Sequence, residues 1–210
     1  MKKKRLFIIG AGGSGIEIES FLSKIPENKK DYYIEGYLDD NPSALENIKS
    51  DYKILGKILE YPFRVNDYAL ISITDPAIKK KIFFELRKRV KIYTFYDPSI
   101  FVGKYSEIGE GSVICPQSLI STNVKIGKCV YINSGSQIGH NSTIEDFSSI
   151  MANVNIGGEC IIGKEVFFGT GSILIPRIAV CDRAVIGAGS VVIRKIKEPA
   201  TYFGNPASKI

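Results

Sequence analysis

The sequence predicts two units of different construction: an α/β unit over residues 1–97, with the βαβαβ order of half a doubly wound domain, and a solenoid of short strands over residues 98–210. Three observations predict this. A glycine-rich loop, Gly10-Ala-Gly-Gly-Ser-Gly15, separates a short apolar run from an amphipathic stretch. Strand-like and helix-like segments then alternate up to about residue 97, the order that builds a parallel sheet. From Val102 onward a large apolar residue recurs at every sixth position, a period that suits neither a helix nor a simple strand.

In the first unit, Leu6-Phe-Ile-Ile9 is short, wholly apolar and ends in glycines, so it predicts a buried strand. Gly15 to Lys24 places Ile16, Ile18, Phe21 and Leu22, with Ile25 following, on one helical face. Tyr33 to Asp40 predicts a second strand, ending in the carboxylates Asp39 and Asp40. Tyr68 to Thr74 predicts a third, and Pro76 to Val90 a helix with Asp75 as its cap and Pro76 in its first turn. The loop satisfies G-x-G-x-x-G. Such a turn brings backbone N–H groups and a helix N-terminus to a phosphate, and it serves equally as a plain strand-to-helix turn. Gly12, Gly13, Ser14 and Gly15 are its candidate binding residues. Asp39 and Asp40 are candidates for a ribose or base contact, or simply open the Asp-Asn-Pro turn; Thr74 is a further lining candidate. A nicotinamide enzyme is the rival reading. Against it stand the lack of a second nucleotide-binding half and of any catalytic unit other than the solenoid.

In the second unit the aliphatic register runs from Val102 through Ile138, Ile144 and Ile156 to Val192, sixteen positions without a slip. The next residue is glycine in eight of the fifteen complete hexads, and the position four after the aliphatic is always small or apolar. The aliphatic therefore fills an interior and the small residue sits beside it. This pattern resembles the hexapeptide-repeat family, and the resemblance implies a left-handed parallel β-helix of three hexads per coil. Fifteen hexads make about five coils.

With eighteen residues per coil, residues eighteen apart stack. His140, the only histidine, is the third residue of its hexad and faces outward near a turn; one coil on, the same position is Gly158. An imidazole titrates near neutrality and can take a proton from an attacking amine or hydroxyl. A bare backbone N–H can stabilise the oxyanion of acyl transfer. A solvated turn histidine beside a turn glycine is the plain alternative.

The ordered set of motifs goes further. Gly10-Ala-Gly-Gly-Ser-Gly15, Tyr37-Leu-Asp-Asp-Asn41, Ile138-Gly-His-Asn-Ser-Thr-Ile-Glu-Asp-Phe147, Val154-Asn-Ile-Gly-Gly158, Phe168-Gly-Thr-Gly171, Ile186-Gly-Ala-Gly-Ser-Val-Val192 and Phe203-Gly-Asn-Pro-Ala207 together resemble the PglD/NeuD-type sugar acyltransferases over both halves. The resemblance implies transfer from acetyl-CoA to a sugar, with His140 as general base and the Gly158 amide facing the thioester carbonyl. It implies that the glycine loop binds the nucleotide part of a nucleotide-linked sugar. Where relatives place an acidic residue after the base, this chain has Asn141, which can hydrogen-bond the ring but adds no charge. Where relatives often place a second histidine near the thioester, it has Ser149. Thr170, Gly187 and Ala188 are implied to line the acetyl-CoA groove between the subunits of a homotrimer, and Lys195 or Arg194 to meet coenzyme A phosphates. The implied function is N-acetylation of a nucleotide-linked 4-amino-4,6-dideoxyhexose, linked to UDP, dTDP or GDP, for bacterial surface polysaccharide such as O-antigen. O-acetylation of a sialic-acid-like sugar is the runner-up, and a non-catalytic nucleotide-sugar scaffold a third reading.

Composition narrows the rest. The formal charge of +6 carries no basic stripe interleaved with aromatics, which argues against nucleic acid. The basic start, Met1-Lys-Lys-Lys-Arg5, leads into an apolar run too short for a signal peptide, and no segment reaches the roughly 20 apolar residues of a membrane span. A cytoplasmic enzyme is expected. Cys115, Cys129, Cys160 and Cys181 form no C-x-x-C pair, and one histidine does not make a metal site, which sets aside a metal-dependent carbonic anhydrase of the same β-helix type. The thiols are expected to be buried or at turns.

Overall fold

The computed structural model describes residues 3–210. Its N-terminal unit is a parallel four-stranded sheet of β1 (Lys4–Ile9), β2 (Tyr32–Leu38), β3 (Asp67–Ile71) and β4 (Lys91–Ile92), in the order β2-β1-β3-β4. α1 (Gly13–Lys24) follows β1 and α2 (Pro76–Leu86) follows β3. Asp75 caps α2, its carboxylate accepting the Ile78 N–H at 2.8 Å, and Pro76 begins the helix where its missing N–H costs nothing. α2 stops at Leu86, short of the expected Val90, and β3 ends at Ile71 rather than Thr74. β2 reaches β3 through an irregular segment instead of a helix, and β4 is a short fourth strand that the apolar pattern did not announce. The central strands are the driest: Leu6 to Ile9 and Leu70 are fully buried. Each such aliphatic contributes roughly 1.5–3 kcal/mol by leaving water.

From Phe95 the chain winds into a triangular parallel β-helix, one strand earlier than the first hexad of the aliphatic register. Two-residue strands stack eighteen apart on three faces. The first face runs through Val113–Ile114, Tyr131–Ile132, Ser149–Ile150 and Phe167–Phe168 to Val185–Ile186. The second runs from Phe101–Val102 through Gln137–Ile138 and Asn155–Ile156 to Val191–Val192. The third runs from Glu107–Ile108 through Thr143–Ile144 to Ala179–Val180. The aliphatic residues point inward and form one continuous core from Ile114 to Ile196.

The small residue of each hexad has a second task. Ser112, Ser136, Ser142 and Ser148 are fully buried, yet each hydroxyl donates to a carbonyl fifteen residues on and accepts an N–H eighteen residues on. A buried hydroxyl without such partners would destabilise the coil. At the corners the fourth residue of the hexad adopts the left-handed conformation, including Asn123, Asn141, Asn153 and Glu159. That geometry favours Gly and Asn, so Asn141 meets a backbone requirement as well as any chemical one.

The N-terminal unit lies on the first face. Val113, Cys115 and Tyr131 are buried in one apolar cluster with Ala11, Ile18 and Leu22, while Phe83 packs edge-on against Phe147. Lys80 pairs with Glu165 at 2.7 Å across the same boundary. Cys115, Cys129 and Cys160 are buried and free, and burial pushes the Cys115 and Cys129 thiols up to about 12 and about 11. Among the described residues no helix is long and apolar enough to cross a membrane.

Candidate active site

His140 stands at the corner between the second and third faces, the vertex of the triangle opposite the N-terminal unit. Its ring is stacked on Gly158 one coil on, where a Cβ would lie 2.8 Å from Cε1 and Nε2 and 3.1 Å from Cδ2. The eighteen-residue register thus brings these two residues together, and only a glycine leaves room for the imidazole.

The Gly158 N–H donates to no group among the described residues, and its surroundings show why. At the corner between the third and first faces the corresponding N–H groups of Lys128 and Lys164 donate to Asp146 and Asp182, each eighteen residues on, at 2.7 and 2.8 Å. Eighteen residues beyond Gly158 is Pro176, whose side chain offers no acceptor. A free donor therefore sits beside an exposed imidazole at one corner. Asn141 continues the arrangement: its side-chain amide is 3.1 Å from His140 Nδ1, and at its other end 2.8 Å from the amide of Asn123. Glu159, above Asn141, is turned away toward Arg177 at 3.2 Å.

The glycine loop occupies a different place, over the first face. Gly12 caps α1 without a side-chain bond, and a Cβ on Gly12 or Gly13 would meet nothing within 4 Å. Gly12 and Gly13 are exposed, so the N-terminus of α1 is uncovered, as anion binding requires. Gly15 differs: a Cβ there would overlap the Gly10 carbonyl oxygen, so this glycine serves the close approach of α1 to β1 and not a ligand. Ser14 Oγ donates to the Tyr131 hydroxyl at 2.9 Å and ties the loop to the coil. Asp39 accepts the Ala11 and Asn41 N–H groups at 2.7 and 2.8 Å, so it holds the loop from behind. Asp40 is exposed and accepts the Ile58 N–H at 3.1 Å. Thr74 borders a cavity of about 530 Å³ between the start of α2 and the later coils, with Asp75, Glu165, Phe167, Arg183 and Val185.

Ser149 requires correction. It lies on the first face, fully buried under the N-terminal unit, where its hydroxyl donates to the Thr74 carbonyl at 2.5 Å and accepts from Lys79 Nζ at 2.6 Å. The face that the sequence register could not orient is the covered one, so Ser149 cannot meet a cofactor. Its partner Lys79 belongs to no sequence motif. It falls on the buried stripe of α2 with Ile82, Phe83 and Leu86, which was the available signal. Desolvation pulls the Lys79 ammonium down to about 7.

Thr170 and Ala188 are exposed at the corner between the first and second faces, where Gly187 lies under the Phe203 ring, and Lys195 is exposed near the end of the coil. Within one chain the three sets, the loop, the His140 corner and the Thr170 corner, are not brought together.

Comparison with known proteins follows the same division. Residues 5–86 match the PglD N-terminal domain family. A variant of perosamine N-acetyltransferase from Caulobacter crescentus, crystallised with CoA and GDP-perosamine, superposes with a TM-score of 0.88 at 19% identity, covering 98% of this chain and 96% of that one. The acetyltransferase domain of PglB from Neisseria gonorrhoeae superposes with a TM-score of 0.83 at 22% identity, covering 99% and 100%. A chloramphenicol acetyltransferase from Agrobacterium fabrum is 40% identical over 53 residues; the chain spans about a quarter, 25%, of the length of that relative. Residues 5–86 are thus similar to the PglD N-terminal domain, and the chain as a whole shares the fold of these solved acetyltransferases, a parallel sheet followed by a left-handed parallel β-helix.

Proposed function

We propose that the protein is an acetyl-CoA-dependent N-acetyltransferase whose acceptor is a nucleotide-linked 4-amino-4,6-dideoxyhexose, a building block of bacterial surface glycan. The observation that carries this reading is the imidazole of His140 seated against Gly158, whose N–H has no partner. An acyl transfer to an amine needs those two groups side by side. The sugar amine attacks the thioester carbon while His140 takes its proton. The carbonyl oxygen becomes an oxyanion, and the Gly158 N–H stabilises it. Collapse expels the coenzyme A thiolate, to which the imidazolium returns the proton. The amide and the free thiol are the products, and no metal is needed. The similar folds solved with CoA and GDP-perosamine, and with acetyl coenzyme A, support the choice of donor and acceptor class.

The nucleotide belongs at the open N–H groups of Gly13 and Ser14, with Thr74 and the cavity beside it. Because that loop and His140 lie on opposite sides of the β-helix, the complete site needs two copies of the chain. A homotrimer, with the loop of one subunit facing the His140 corner of the next and acetyl-CoA running past Thr170, Gly187, Ala188 and Lys195, meets that need. The test is thiol release from acetyl-CoA with a panel of UDP-, dTDP- and GDP-linked amino sugars. Turnover of one 4-amino sugar with amide formation is expected. Silence across the panel, or turnover only with a hydroxyl acceptor, would replace this reading with the scaffold or the O-acetyltransferase.

A further inference from the structure

We propose that one end of the molecule, formed by the strand-starting edge of the N-terminal sheet and the first coil of the β-helix, docks on the surface of an anionic membrane. The course of α2 shows that the two units share that end. Lys80, near the start of α2, pairs with Glu165 at 2.7 Å. Arg87, just past its last residue, approaches Glu110 at 3.9 Å, about three coils nearer the beginning of the β-helix. A crossover helix between parallel strands returns the chain to the edge where the strands begin, so that edge lies beside the first coil. There a cavity of about 420 Å³ is lined by Arg64, Val65, Arg87, Lys88, Arg89 and Lys91.

Carboxylates do not balance these cations. Asp67 is buried and occupied: it accepts the Arg64 N–H at 2.7 Å and pairs with Arg5 at 3.3 Å. Glu110 stands 3.9 Å from Arg87, and Glu85 takes Lys88 at 3.0 Å. Arg89 is held by the carbonyl oxygens of Leu59 and Tyr61, which orient its guanidinium without neutralising it. Arg64 and Lys91 are exposed and pair with no carboxylate among the described residues. Farther along the same edge Lys3 and Lys4 are matched by Glu27 and Asp31, so the unmatched charge gathers around β3 and β4. Val65, in the loop before β3, is 91% exposed. The first coil, outermost on all three faces, exposes Tyr96 and Tyr105 at the same end, whereas the other end is closed by the hairpin of Thr201–Gly204 and Ala207–Lys209. Such a mixture suits the headgroup layer of a bilayer: lipid phosphates meet the cations, and the valine and tyrosine tips enter the acyl boundary. A second copy docked end to end would set like charges against one another. A rigid partner would need a pocket shaped to Val65, whereas a bilayer yields around it.

The test is co-sedimentation of the full protein with vesicles of about one-third phosphatidylglycerol in phosphatidylcholine, at about 0.1 M salt, with pure phosphatidylcholine vesicles as the control. Binding to the anionic vesicles alone, released by about 1 M salt, is expected. Each neutralised cation near the surface lowers the partition coefficient roughly fivefold, so Arg64→Gln combined with Lys91→Gln lowers it about 25-fold. Val65→Ser, which leaves the charge unchanged, lowers it several-fold. Lys197→Gln, at the opposite end, leaves it at the parental value. All four side chains are exposed, so the variants keep the fold. No binding to the anionic vesicles, or a loss in Lys197→Gln equal to that in the double variant, overturns the proposal. Retention on polyglutamate without vesicle binding would assign the patch to an acidic protein. Concentration-dependent pairing abolished by the double variant would assign it to a second copy, and either result replaces the membrane. These measurements need no turnover, so they stand apart from the proposed function.

Discussion

The imidazole of His140 fills the volume that a side chain on Gly158 would need, its Cε1 and Nε2 each 2.8 Å from the site of a Cβ. This contact joins two residues eighteen apart in sequence and one coil apart in space. Gly158 has no positive φ, so the glycine is required by the ring and not by its own backbone.

Gly158→Ala therefore displaces the imidazole without straining the main chain. A catalytic group moved by about 1 Å costs on the order of 100-fold in rate. We expect kcat to fall by about that factor while the thermal midpoint stays within a few degrees of the parent. Calorimetry and the thiol-release assay on the same preparation check both halves. A normal kcat would show that the ring is not held where the reaction needs it.

Removing the ring has a different signature. His140 is exposed and the core beneath it is closed by Ile138 and Ser142, so His140→Ala leaves folding intact. Loss of a positioned general base costs about 10²- to 10⁴-fold in kcat. KM for the nucleotide sugar should hardly change, because the nucleotide is assigned to the distant loop. Activity that persisted undiminished would return His140 to the status of a solvated turn residue.

The legibility of the molecule follows its periodicity. Wherever a residue is fixed by the six-residue register, from Ile114 to Val192, the sequence tells which way it points, and stacking by eighteen pairs His140 with Gly158. The same rule would have reached Asn123 from Asn141. The register does not say which of three equivalent faces a second unit covers, so it does not show that Ser149 lies buried beneath the N-terminal unit. Nor does it show that Asp39 is used up on the Ala11 N–H, because that bond depends on how β2 ends and not on any repeat. Gly12, Gly13 and Gly15 of the loop look alike in sequence and differ in what lies opposite the missing side chain.

That difference separates folding from binding. A Cβ on Gly13 meets nothing, whereas one on Gly15 runs into the Gly10 carbonyl. Gly13→Ala should keep the parental thermal midpoint and raise KM for the nucleotide sugar, since a methyl group at the open N-terminus of α1 crowds a bound phosphate. Gly15→Ala should destabilise the fold by about 1–3 kcal/mol or more, as overpacking does, and lower the soluble yield. Thermal melts together with titration of the free nucleoside diphosphate distinguish the two. Equal loss of stability in both variants would remove the case for an open cradle.

Lys79 gives the last prediction, and it concerns pH. Its ammonium is buried between α2 and the first face, bonded to the Ser148 carbonyl at 2.8 Å and to Ser149 Oγ at 2.6 Å, and desolvation lowers it from 10.5 to about 7. Between those values the unfolded chain binds a proton that the folded chain does not, so stability rises with pH through the window. Below about 7 both states carry the charge and the folded one bears the full desolvation cost. The slope from one proton is at most about 1.4 kcal/mol per pH unit. The Cys115 and Cys129 thiols work the other way: raised by burial from 9.0 to about 12 and about 11, they stabilise the fold below 9.0 and lose that contribution as pH climbs through the raised values. The test is therefore the difference between the parent and Lys79→Met, in which the thiols cancel. Urea denaturation from pH 7 to 8.5 should show the parent gaining stability on the variant with each step. A constant difference would mean that Lys79 stays charged in the folded protein and that its two oxygen partners alone sustain the ion.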